Sequence, residues 1–215
     1  MERMTASPSV VGALAMTLAS LSYDFADDEL AYLALTGDAF RPVRDRIAWR
    51  LQQELGEEYV VARTWRRSDI AVLTGATPVL QVEARAMAAL DLLDTVTRAD
   101  HLAALTADGL RMAAVAPESS AYLLALVTHV DGPVPGHLHD VVEQSDLIAS
   151  ATPGAEPVAA TARKLWEAEV GRLAWPCTRF AIGAGSRWGL AVELDAHLVG
   201  PLPQVVGETG LQVAG

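Results

Sequence analysis

Two acids, Asp69 and Glu83, and one cation, Arg85, fall on the consecutive apolar runs SDIAVL and PVLQVEARA, which read as neighbouring strands. Strands placed side by side in this way bring the two carboxylates together at one end of a sheet. Such a pair can hold a divalent metal ion through oxygen ligands, and a cation beside it can offset charge developing on a reacting phosphate. Side chains alternate along a strand, so Gln81, Glu83 and Arg85 share one face while Leu80, Val82 and Ala84 share the other. A polar row inside an apolar stretch is either a solvated face or a site. Taken singly, Asp69 reads as a turn cap and Glu83 as a paired acid on an edge strand.

The elements that must position these residues follow from periodicity. Residues 8–21 and 27–36 read as two short helices, the second opened by acids at its positive end. From Pro42 to Leu55, Val43, Ile47, Leu51 and Leu55 recur on one face, with Pro42 suited to a first turn and Gly56 to a stop. The pattern then changes: YVVARTW, SDIAVL and PVLQVEARA are short and rich in β-branched residues, parted by Arg66-Arg67 and by Gly75-Ala76-Thr77, which predicts a three-stranded meander. Residues 87–98 and 99–114 read as helices, and AYLLALVTHV, after Pro117, as a buried fourth strand. DGPVPGH is a turn, HDVVEQSDLIA a short helix, ATPGAEP a linker and residues 157–173 an amphipathic helix. Two more strands are expected around Gly183 to Gly189, before a weakly patterned last fifteen residues.

Bulk properties narrow the function classes. A chain of 215 residues, 51% hydrophobic, is long enough for one domain with a sizeable core. The single cysteine, Cys177, excludes an intramolecular disulfide and a cysteine-rich zinc site, and suits a reducing cytoplasm. Lys164 is the only lysine, an arginine-biased composition like that of high-GC bacterial genomes. The net charge of −11 argues against bulk electrostatic capture of nucleic acid, although Arg63, Arg66 and Arg67 could form a local basic patch just before Asp69. The apolar stretch SVVGALAMTLASL is too short to span a bilayer and is read as a helix packed on the core.

The order helix, strand, strand, strand, helix, strand, with acids on the second and third strands, resembles the PD-(D/E)xK nuclease superfamily over roughly residues 42–130. The resemblance implies an α/β, restriction-endonuclease-like fold: a central mixed sheet flanked by helices, here with N-terminal helices (1–41) and a C-terminal helix and strand extension (131–215) in one domain. In that family an aspartate begins the second core strand, and an acid, a spacer and a lysine end the third. Asp69 and Glu83 take the acidic places, and Arg85 stands where the lysine would be. An acid on the first core helix often completes the metal site, for which Asp45 is placed and Glu54 is the second choice.

The resemblance implies Mg²⁺ or Mn²⁺ held by Asp69, Glu83 and Asp45, with Arg85 as charge stabiliser, Arg66 and Arg67 as substrate contacts, and DNA as substrate. Arginine keeps the charge of lysine but is a poor proton mediator, and the exchange is not conservative at a tight site. Two explanations stay open: the site works with arginine or borrows Lys164, or the chain keeps the fold and serves as a protein-binding or self-associating module. The acidic, apolar-rich composition suits the second.

Other residues are read blandly. His129, His137 and His139 are expected in a surface loop, and Trp49, Trp65, Trp166, Trp175 and Trp188 in core or interface packing. No phosphate-binding loop, Gly-x-Ser-x-Gly elbow or His-Glu-x-x-His is present.

Overall fold

The computed structural model describes residues 8–37, 39–116, 118–150, 158–173 and 175–203. Pro117, the ATPGAEP linker and most of the C-terminal stretch lie outside them. The architecture is α/β, a six-stranded mixed sheet flanked by helices. In chain order the elements are α1 (Pro8–Ser20), α2 (Glu29–Thr36), α3 (Phe40–Leu55), β1 (Val60–Trp65), β2 (Ser68–Thr74), β3 (Thr77–Ala88), α4 (Thr95–Val115), β4 (Ser120–Asp131), α5 (Ser145–Ser150), α6 (Val158–Gly171), β5 (Cys177–Arg187) and β6 (Leu190–Val199). The strands lie in the order β1-β2-β3-β4-β6-β5. Only β3 and β4 run parallel, joined by the crossover through α4; the other neighbours are antiparallel. Parallel neighbours require such a crossover, which is why the helix falls there.

Burial explains the sequence of β4. Tyr122, Leu124 and Leu126 enter the core beneath α1, α2 and α3, whereas Ala121, Leu123, Ala125 and Val127 enter a second core with Leu105 and Met112 of α4 and Ala162, Trp166 and Val170 of α6. A strand covered on both faces must be apolar at every position, so AYLLALV shows no alternation. Val10, Leu14 and Leu18 of α1 and Val43, Ile47 and Leu51 of α3 are fully buried, as their spacing predicts.

Where the structure departs from the reading, the reasons are local. The helix expected over residues 87–98 begins only at Thr95: β3 runs on to Ala88 because Met87 and Ala88 still pair with Val127 and Thr128. A short 3-10 turn at Asp91–Leu93 follows, and α4 starts at Thr95 because the Asp94 carboxylate accepts the Thr97 N–H at 2.8 Å, an N-cap. The HDVVEQSDLIA segment is mostly turn, with a helix only over Ser145–Ser150. Of the tryptophans, Trp166 is core, whereas Trp49 is 61% exposed and so is not a core residue. Among the described residues, no helix is long and apolar enough to cross a membrane.

Candidate active site

The β2–β3 ladder pairs Ala71 with Gln81 and Ile70 with Val82, so the next residue outward on each strand is Asp69 and Glu83. A buried hydrogen-bond chain fixes this end of the sheet: the Ser68 hydroxyl donates to Gln81 Oε1 at 2.9 Å, and Gln81 Nε2 donates to the Ser119 hydroxyl at 2.6 Å. It ties the start of β2 and the body of β3 to the entry of β4. Beyond the last ladder pair, Asp69 Oδ2 accepts the Ala84 N–H at 3.0 Å, so the side chain takes over where backbone pairing stops. Its Oδ1 faces the Arg44 guanidinium at 3.5 Å.

Glu83 is the strained member. Burial pushes its carboxyl up, and the charges of Asp69 and Asp108 add to this; Arg111 and Arg85 oppose, leaving it at about 7. Its Oε1 meets the Arg111 guanidinium at 3.3 Å, while Oε2 is buried with no hydrogen-bond partner among the described residues. Arg85, on the same strand, turns to Asp108 of α4, donating from Nε at 2.7 Å. Asp108 also takes Arg111 at 2.7 Å, so one buried acid clamps both cations.

Asp45 sits in a neighbouring network. Arg44 reaches it at 3.0 Å and Arg63 at 2.9 Å, so Asp45 is linked to Asp69 through Arg44 and does not meet Glu83 directly. Arg66 and Arg67 form the exposed two-residue turn between β1 and β2, adjoining Asp69; Arg66 is left-handed (φ 55°) and lies 4.3 Å from the Trp65 ring centroid. Lys164 lies on α6.

The donor set offers a divalent cation Glu83 Oε2 first; Asp69 beside it would have to loosen its 3.5 Å contact with Arg44, and Asp45 lies apart in the arginine network. The orphaned Glu83 Oε2 is the kind of atom a cation would satisfy, and a cation would relieve the repulsion between crowded carboxylates. Both Asp45 oxygens are already committed to arginines. Among the described residues no group of three His, Cys, Asp or Glu side chains is placed to hold a metal ion, so waters and substrate oxygens would supply the remaining ligands.

Asp108 and Arg111 escaped the sequence reading. The signal was available: Asp108 falls between Leu105 and Met112 at helical spacing, an acid within an apolar stripe. A second omission is larger. Asp195 on β6 is fully buried and takes His129 Nε2 at 2.7 Å, Arg163 Nε at 2.6 Å and Arg179 Nε at 2.9 Å. Burial alone would raise its carboxyl; these hydrogen bonds outweigh that and hold it well below the usual range. His129 is therefore no loop residue. It is a β4 side chain only 3% exposed. Comparison with family models, with curated proteins and with solved structures found no match.

Proposed function

We propose that the chain is a PD-(D/E)xK-like, metal-dependent phosphodiester hydrolase acting on nucleic acid, with DNA the substrate. The observation that carries this reading is the placement of Asp69 and Glu83 side by side just beyond the Ile70↔Val82 pair of β2 and β3, with Glu83 raised to about 7 and Oε2 left unpartnered among the described residues. The element order α3-β1-β2-β3-α4-β4 supports it, since it is the order that the family's core requires. Asp69 and Glu83 would hold Mg²⁺ or Mn²⁺, which when bound polarises a phosphate oxygen and lowers the pKa of a bound water. Arg85 and Arg111, each more than a third exposed, would offset charge on the phosphate. Asp108 fixes where their guanidiniums lie. Arg66 and Arg67, projecting from the adjacent hairpin turn, would meet the phosphate backbone.

A second reading draws on a different observation. Arg85 and Arg111 are paired with Asp108 and Asp45 with two arginines, while Trp49 of α3 and Met16 of α1 are 61% and 69% exposed. A self-neutralised cluster with exposed apolar side chains suits a non-catalytic module that binds protein. Cleavage of plasmid and single-stranded DNA with Mg²⁺ or Mn²⁺ separates the two. The hydrolase reading expects activity that falls at least about a hundredfold in Asp69→Ala, the order of a lost electrostatic stabiliser. Inactivity of the wild type and of Arg85→Lys would overturn it in favour of the module.

A further inference from the structure

A cavity of about 320 Å³ opens at the C-terminal ends of the parallel strands β3 and β4, lined from Ala86 to Leu90 and by Leu126, Thr128, His129 and Val130. Neither Asp69 nor Glu83 borders it. Ligands of open α/β sheets collect outside the carboxyl ends of parallel strands, and this volume is within the range of small-molecule sites. Phe40, Ala39 and Ile148 wall one side, with Ala159 of α6 and His101 of α4 among the other lining residues.

Two polar atoms bordering the cavity are unsatisfied. His129 Nδ1 and His101 Nε2 are both buried without a hydrogen-bond partner among the described residues. An orphaned imidazole nitrogen in a buried site is costly unless a ligand or water meets it. The chemistry of the His129 nitrogen is set from behind. The Asp195 carboxylate, held also by Arg163 and Arg179, can only accept, so Nε2 is the donor to it, and in the neutral imidazole Nδ1 then presents the lone pair. The lining charges are acidic: Asp91 and Glu143 border the cavity, and no arginine or lysine does among the described residues.

From this geometry we infer that the cavity binds a small, uncharged, largely apolar molecule carrying a hydroxyl or N–H donor, which His129 Nδ1 accepts. The apolar walls take the body of the molecule, the imidazole selects its donor, and the acidic border disfavours anions. Asp195 is a positioning residue that fixes the tautomer.

The test is long-range ¹H–¹⁵N spectroscopy of histidine-labelled full-length protein, with His129→Gln to assign the resonance. Benzyl alcohol is the probe, ethylbenzene the same shape without a donor, and benzoate the anion. Benzyl alcohol is expected to move the His129 Nδ1 resonance saturably and to bind at least about tenfold more tightly than either comparator, the worth of one hydrogen bond to a buried acceptor. Ala159→Trp and Ala86→Leu, which fill the cavity, are each expected to abolish the shift. The inference is overturned if ethylbenzene matches the alcohol, if benzoate binds best, if no probe moves His129, or if a folded cavity-filled variant binds like the wild type.

Discussion

Replacing Glu83 with glutamine removes a titrating group whose energetics follow directly from its surroundings. Its carboxyl stands at about 7 against an ordinary 4.5, so between those values the folded chain binds more protons than the unfolded chain. Linkage then makes stability fall as pH rises through that window: Glu83's contribution is fully present below 4.5 and lost above about 7. At about 1.4 kcal/mol for each tenfold change in proton affinity, the whole effect is about 3 kcal/mol. Glu83 is only 16% exposed, so solvent screening removes little of it. Glutamine keeps the shape and carries no charge. Urea unfolding without divalent cations should show the stability of Glu83→Gln relative to wild type growing by about 2–3 kcal/mol between pH 5 and pH 8. The wild-type profile alone conceals the effect, because burial holds His197 down at about 4 and gives the opposite slope, with stability falling as pH drops from 6.5 toward 4. A difference between the two proteins that stays constant with pH, or a glutamine variant less stable at pH 8 than at pH 5 relative to wild type, would refute the reasoning.

Other perturbations have signs equally fixed by the structure. Asp195→Asn leaves Arg163 and Arg179 without their shared buried counter-charge and should cost about 3–5 kcal/mol in denaturant unfolding. Arg66→Asn relieves a left-handed backbone at the hairpin turn and should hold or raise stability by up to about 1 kcal/mol, while weakening DNA binding measured by fluorescence anisotropy at low salt. Gly132→Ala should destabilise by about 2 kcal/mol, read as a lower melting temperature, because φ is +119° and a Cβ would meet the Gly189 carbonyl oxygen at 2.9 Å.

The sequence was legible where one period dominates. Val43, Ile47 and Leu51 mark α3, and the Arg66-Arg67 and Gly75-Ala76 breaks place the three-stranded meander. The Ile70↔Val82 register then brings Asp69 beside Glu83, as consecutive strands predict. What did not show was long-range pairing. Whether Arg85 meets Glu83 or Asp108 depends on how α4 lies over β3, which strand periodicity does not encode. His129 falls in both the AYLLALVTHV strand and the loop grouping with His137 and His139; the strand reading holds, since β4 continues through it to pair with β6. The row Glu193, Asp195 and His197, alternating with Val192, Leu194 and Ala196, repeats the pattern that singled out β3, and the same reading would have found the buried cluster. The boundary of β3 moved because Met87 and Ala88 gain cross-strand partners that outweigh their helical preference.

Calorimetric titration of Mn²⁺ and Mg²⁺ into the wild type, Asp69→Asn and Glu83→Gln tests the central claim most directly. A single site is expected in the wild type, with proton release near neutral pH as Glu83 gives up its proton, and binding lost in both variants. Absence of binding in the wild type, or binding unchanged in both variants, would contradict it.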